Sequence, residues 1–151
     1  MRWLPTLLWM GLIFLLSSIP DATISQTGWL DFIIRKTIHL FEYGVLAILL
    51  AQSLKDSPRV DNLLHGARPN GQALYKKYLP NRYHDRYMFW ESRIKPFILA
   101  VVYAAADEFH QSFVPGRTGI WTDVLVDGLG ATLGLWLWSW LEGKIPWSGR
   151  R

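Results

Sequence analysis

Nine ionisable or polar residues in three stretches of the chain are of the types that bind ligands or move protons. They are Lys36, His39, Tyr43, Asp107, Glu108, Gln111, Arg117, Asp123 and Asp127. The first three are spaced i, i+3 and i+7, and the later stretches contain i, i+4 pairs of acids and amides, so each set shares one helix face. Ionisable groups on apolar helices are costly and usually turn inward to a functional site. We therefore predict that all nine line one ligand-binding site.

These residue types allow several kinds of chemistry. The candidate catalytic residues are His39, Asp107, Glu108 and Asp123. The three acids among them are also candidate ligands for a divalent cation through their oxygens, with the histidine as acid or base. Arg117 and Lys36 can hold a phosphate or a carboxylate. Purely structural ion pairs between these cations and the acids remain an alternative. Glu42 is open between facing the site and facing outward, and His110 is interpreted as interfacial.

Four apolar windows contain most of these residues. The windows are 3–19, 36–54, 96–114 and 120–141. As helices of about 1.5 Å rise per residue they are long enough to cross a hydrocarbon core of about 30 Å. The 9 Trp and 6 Tyr suit a long membrane–water boundary, and a long polar segment keeps the mean hydropathy at +0.11. We predict an all-α fold, a bundle of four transmembrane helices. The absence of Cys excludes disulfides, thiolate metal sites and a cysteine nucleophile.

The distribution of cations predicts the orientation of these spans. The segment 55–95 has nine Lys and Arg, whereas the short segment after the third window has only Arg117. By the positive-inside rule, both termini and the 55–95 loop are cytoplasmic, in a multi-pass protein of the plasma membrane. The polar site then lies at the outer face. A cleaved signal peptide is the alternative for the first window, although its end offers no usual small-x-small cleavage site.

The basic loop 55–95 between the second and third windows mixes Lys and Arg with aromatic residues from position 75 to 90. Next to a membrane span, this composition favours contact with anionic lipid headgroups, with a merely solvated loop as the alternative. We expect no nucleic-acid partner. A membrane domain over 1–143, interrupted by this loop, is followed by a basic tail at 144–151.

The order of these motifs resembles the VanZ-like family. The matching elements are Arg2, Ser17-Ser18-Ile19-Pro20, Lys36/His39/Tyr43, Asp107-Glu108/Gln111, Pro115-Gly116-Arg117/Asp123 and Gly128-Leu129-Gly130. Asp127 stands where the family often has Asn, and the middle loop is longer than usual. The resemblance implies a bacterial multi-pass protein of the cell envelope. The family is named for a component associated with resistance to the antibiotic teicoplanin, and its biochemical activity is not settled.

Three functions are compatible with this sequence. The first is a non-catalytic envelope protein that binds a lipid-linked or glycopeptide ligand at the outer face. The second is an intramembrane enzyme that acts on a polar lipid headgroup, with or without a metal ion. The third is a proton or ion transporter, which the confinement of the ionisable groups to one face disfavours. The chain has no phosphate loop, catalytic-triad order or zinc-protease motif to favour a named reaction.

Overall fold

Four α-helices and one π-helical turn make up the part of the chain that the computed structural model describes, which is residues 2–20, 28–55, 89–117 and 119–144. The helices are α1 (Leu4–Ser17), α2 (Gly28–Lys55), α3 (Lys95–Gln111) and α4 (Trp121–Lys144), and the π-helical turn (Trp90–Ile94) leads directly into α3. These ranges contain no strand. The predicted all-α class is confirmed. Most of the basic loop, at 56–88, and the tail from 145 lie outside the described residues.

The helices begin and end at recognisable signals, some of which the apolar windows missed. Proline lies in the first turn of both α1 and α3, where its missing N–H and fixed φ cost nothing. The second window places a span at 36–54, but α2 begins eight residues earlier, at Gly28. Most residues of this first part are apolar, and its two charged residues, Asp31 and Arg35, form an ion pair of 2.9 Å one turn apart, so they do not interrupt the helix.

The third window also differs from the observed helix at its end. It extends to residue 114, whereas α3 ends at Gln111 and a turn follows. Pro115 cannot continue a helix, and Gly116 has a φ of 81°, a conformation that favours glycine. This turn leads the chain back toward α4.

Polar and apolar side chains are distributed as expected for a bundle surrounded by lipid. Large apolar side chains cover the outside, among them Phe109 at 69% exposed and Leu125 at 73%. The buried polar residues are Thr6, Ser17, Glu42, Ser53, Asp107, Glu108, Gln111 and Asp127. Two segments of the described chain, Gly28–Leu54 and Trp121–Leu141, are long and apolar enough to cross a membrane, and α1 is a shorter apolar helix. At 14 residues α1 is about 21 Å long.

Contacts between the helices show that successive helices alternate in direction. Thr6, near the start of α1, is hydrogen-bonded to Ser53 near the end of α2 over 2.8 Å, so these two helices are antiparallel. The end of α1 instead meets the end of α3, where Ser17 donates to Asp107. Helix α3 therefore lies parallel to α1. Lys36 and His39 of α2 contact Asp123 and Asp127 of α4 in the same order, so α4 lies parallel to α2.

Glycine allows α2 and α4 to approach until their backbones touch. A Cβ atom added at Gly130 would lie 2.9 Å from the Leu40 Cα atom, and one added at Gly134 would lie 2.8 Å from the Gly44 Cα atom. The G-x-x-x-G spacing in the sequence predicts such close packing, and the structure assigns α2 as its partner. This contact fixes the distance between the two helices that supply the ionisable residues described next.

Candidate functional site

Eight of the nine residues that the sequence predicts for the site lie at one end of the bundle, where α1 and α3 end and α4 begins. We call this the polar end. Helix α1 brings Ser17 and Ser18 to it, and α2 brings Lys36 and His39, while the ninth residue, Tyr43, lies near the middle of α2. The end of α3, the turn after it and the first two turns of α4 supply the others. The alternation of helix direction places these separate stretches at the same level.

Asp107 is at the centre of a hydrogen-bond chain that joins α1, α3 and the turn. It is 4% exposed, and its Oδ2 atom accepts from Ser17 Oγ over 2.7 Å and from Gln111 Nε2 over 2.8 Å. Arg117 Nη1 in turn donates to Gln111 Oε1 over 3.2 Å. Arg117 therefore reaches Asp107 through the Gln111 amide.

The Arg117 guanidinium also binds the end of α1. Its Nε donates to the carbonyl of Ile19 over 3.0 Å and its Nη2 to the carbonyl of Leu16 over 3.2 Å. The last carbonyls of a helix have no partner within the helix and carry the negative end of its dipole. Arg117 thus fixes α1 against the turn. Among the described residues its hydrogen-bond partners are these two carbonyls and Gln111, where the sequence led us to expect acids.

An ion pair and a histidine–carboxylate hydrogen bond connect α2 to α4. Lys36 Nζ contacts Asp123 Oδ1 at the mouth of the site, where both side chains are about one-fifth exposed. One turn deeper, His39 Nδ1 lies 3.2 Å from Asp127 Oδ1, and Asp127 is 1% exposed. Because α2 and α4 are parallel, the turn of α2 from Lys36 to His39 lies beside the turn of α4 that begins at Asp123. Both contacts can therefore form at once.

Glu108 completes a second group with His39 and Asp127. It is 5% exposed, and its Oε2 atom accepts from the backbone N–H of Ile120 over 3.0 Å. One ligand-type atom from each of the three residues lies within 4.8 Å of the others. The sequence grouped Glu108 with Asp107 and Asp123 as candidate metal ligands. In the structure the latter two are engaged elsewhere, with Ser17 and Gln111 and with Lys36, respectively.

Tyr43 lies below His39 on the same face of α2, in the core of the bundle. Its side chain is fully buried, and its ring is stacked on that of His39 with the centroids 6.4 Å apart. Its hydroxyl has no hydrogen-bond partner among the described residues. Tyr43 therefore forms the floor of the site.

Two adjacent cavities open at the polar end. The first is about 280 Å³ in volume and lies between the end of α1 and α2, while the second is about 190 Å³ and lies under the turn. Arg35, His39 and Arg117 line both cavities. Lys36, Gln111 and Asp123 line only the second. The cavities therefore combine three cations with two acids, Glu42 in the first cavity and Asp123 in the second.

Some residues of the polar end were missing from the predicted set. Arg35 lines both cavities, and its spacing of i, i+4 and i+7 to His39 and Glu42 was the available signal. Glu42, left open by the sequence, is 8% exposed and lines the first cavity. His110 hydrogen-bonds Ser18 over 3.0 Å at the periphery, which agrees with its interfacial interpretation.

A comparison with protein-family models matches residues 3–142 to the VanZ/LLP1 family. The match covers nearly the whole chain, including every residue of the polar end. The comparisons with curated proteins and with solved structures give no match.

Proposed function

The chain belongs to the VanZ/LLP1 family, and from this membership and the geometry of the polar end we propose that it binds the anionic head group of a lipid-linked envelope molecule. The observation that carries the proposal is the pair of cavities that share Arg35 and Arg117, with Lys36 in the second. Arginine is favoured where a phosphate or carboxylate is held by two parallel hydrogen bonds.

The donors of Arg117 support this role. A guanidinium has five N–H donors, and three of them are used for Gln111 and for the carbonyls of Leu16 and Ile19. These bonds hold the side chain in one orientation and leave two N–H groups for a ligand. A cation fixed in this way binds an anion without losing much side-chain entropy.

The walls of the first cavity favour a lipid as the molecule that carries the anion. Leu16, Ile19 and Ile38 line it, and each is more than 40% exposed. The cavity thus joins a charged region to the apolar exterior of the bundle, as an amphipathic lipid requires. Its volume of about 280 Å³ is just below the range of about 300–1,000 Å³ for small-molecule sites. A lipid head group suits this volume better than a glycopeptide antibiotic does.

The proposal includes a membrane topology. Four spans, with both termini and the 55–95 loop in the cytoplasm, agree with the alternating helix directions and with the nine cations of that loop. The polar end then faces the outside, where lipid-linked envelope precursors are used. Any effect of this protein on teicoplanin susceptibility would follow from the bound lipid.

The test compares lipids that remain bound to the purified protein. Wild-type protein and Arg117→Lys are extracted in mild detergent and washed, and the retained anionic lipids are quantified by mass spectrometry. We expect Arg117→Lys to retain about 10-fold less or lower still, because the single ammonium nitrogen of lysine cannot reach the three acceptors of the guanidinium or present a planar pair of donors to the ligand. The control is Arg93→Lys, whose guanidinium donates to the Leu135 carbonyl far from the cavities. Equal retention by all three proteins rejects the proposal.

An intramembrane enzyme is the second candidate, because His39, Glu108 and Asp127 lie together beside the proposed head-group cavity. In that case His39 serves as the acid or base. Mass spectrometry of the same lipids after incubation with the protein separates the two functions. A new lipid product that disappears in His39→Gln supports the enzyme, and an unchanged lipid supports the binding protein.

A further inference from the structure

Three buried side chains at the polar end present metal-ligating atoms to one another. His39, Glu108 and Asp127 come from α2, α3 and α4, and one nitrogen or oxygen atom of each lies within 4.8 Å of the other two. Asp127 and Glu108 are 1% and 5% exposed. Acids on a water-facing surface commonly cluster without a ligand, but these two are removed from solvent.

Each of the two acids also has an oxygen atom without a hydrogen bond. Within the described chain, Glu108 Oε1 and Asp127 Oδ2 are buried and have no partner. An unsatisfied buried acceptor is costly, more so when it is charged, and each such group in a folded protein requires an explanation. The hydrogen bonds that are present therefore leave both carboxylates incompletely satisfied.

The spacing of the three side chains suits a bound cation. Charge-assisted N–H···O bonds are usually about 2.7–2.9 Å long, and the distance from His39 Nδ1 to Asp127 Oδ1 is 3.2 Å. Two ligands at about 2.0–2.1 Å from a tetrahedral metal ion lie about 3.4 Å apart, close to this value. The ligand atoms of all three residues lie within 4.8 Å of one another, so a shift of at most about 1.4 Å would bring every pair to the tetrahedral separation.

The charges of the three side chains also suit a divalent cation. A divalent cation with a neutral imidazole and two carboxylates has no net charge, which is the cheapest state for a site within a membrane-embedded bundle. The alternative is an isolated His39–Asp127 ion pair. That pair leaves the Glu108 carboxylate with only the Ile120 N–H and does not use the free oxygens.

We propose that His39, Glu108 and Asp127 bind one divalent transition-metal ion of the Zn²⁺ type. A nitrogen and carboxylate ligand set suits first-row transition metals, whereas Mg²⁺ and Ca²⁺ prefer oxygen alone. The Ile120 N–H orients Glu108 from outside the ligand set, as hydrogen bonds to metal ligands commonly do. This inference goes beyond head-group binding and does not rest on it.

The experiment measures Zn²⁺ binding to the full-length protein in detergent. After treatment with a chelator, the protein is titrated with Zn²⁺ in a calorimeter, and the bound metal is measured after gel filtration. We expect one ion per chain. Glu108→Gln and His39→Gln should each lower the affinity at least about 10-fold, because even the loss of a residue that only supports a metal ligand costs about 10- to 100-fold.

The matched control is Glu91→Gln, in the π-helical turn before α3 and at the other end of the bundle from the site. Its carboxylate is paired with Lys95 one turn along the helix. We expect this variant to bind Zn²⁺ as the wild type does. Binding below one ion per chain in the wild type, or binding that Glu108→Gln and His39→Gln leave unchanged, overturns the proposal.

A second measurement on the wild-type protein does not depend on whether the variants fold. X-ray absorption at the zinc edge identifies a coordinated imidazole by its multiple scattering. We expect one imidazole with oxygen ligands and no sulfur, since the chain has no Cys. A spectrum of oxygen ligands alone would overturn the assignment of His39.

Discussion

Replacing Gly130 with alanine should force α2 and α4 apart and weaken the site at the polar end. The added Cβ would lie 2.9 Å from both the carbonyl carbon and the Cα atom of Leu40 and would overlap the Leu40 carbonyl oxygen. Carbon atoms in contact are normally about 3.5–4.0 Å apart, so the helices must separate by about 0.6–1 Å. The neighbouring atoms are backbone and cannot rotate away.

The control for this substitution is Gly11→Ala, in the middle of α1. A Cβ there has no neighbour within 4 Å. Both substitutions gain the same helix propensity, about 0.8–1 kcal/mol, so this term cancels in the comparison. Overpacking a tightly packed contact costs about 1–3 kcal/mol. We therefore expect Gly130→Ala to be about 1–3 kcal/mol less stable than Gly11→Ala.

Thermal unfolding in detergent measures this difference. At about 2–4 °C per kcal/mol for a chain of this size, the Tm of Gly130→Ala should lie about 2–12 °C below that of Gly11→Ala. The Zn²⁺ affinity should fall in the same order, because His39 and Asp127 lie on the two helices that separate. Equal Tm values for the two variants would show that the α2–α4 contact yields easily, contrary to this reasoning.

Two further outcomes are expected. Ser17→Ala removes a buried donor to Asp107, so the free energy of unfolding should fall by about 1–3 kcal/mol. The control is Ser112→Ala, whose hydroxyl is exposed and which should change the free energy of unfolding by less than about 0.5 kcal/mol. Similar thermal melts for the two variants would contradict the role of the Ser17 hydrogen bond. Single cysteines in the 55–95 loop should not react with an impermeant thiol reagent added to intact cells, whereas Ser112→Cys should react. Labelling of the loop from outside would show that the proposed topology is inverted.

The sequence was sufficient to predict the helical class and the meeting of the ionisable residues. Helical periodicity identifies the shared face of Lys36, His39 and Tyr43 from local spacing alone. The charge distribution predicts alternating helix directions, which bring the end of α3 to the start of α4. The apolar windows missed the extra turns of α2 before residue 36, because the charges of Asp31 and Arg35 interrupt a mostly apolar run. In the helix these two side chains form an ion pair.

The grouping of individual residues within the site depended on helix rotation and could not be read from spacing. Asp107 and Glu108 are adjacent in the chain, so they point in directions about 100° apart on α3. As a result Asp107 faces α1 and accepts from Ser17, whereas Glu108 accepts from Ile120 beside α4. The sequence treated the two acids as one metal-binding unit. Only the packing of three helices shows that Glu108 belongs with His39 and Asp127.

The two proposed sites meet at His39. Its ring lines both cavities and also belongs to the group with Glu108 and Asp127. An anion held by Arg117 would thus face the cation side of a metal site, and each ligand would lower the electrostatic cost of binding the other. Such coupling between binding free energies is reciprocal. If both proposals hold, the buried acids would bind the cation, and the cation and the arginines together would bind the anion.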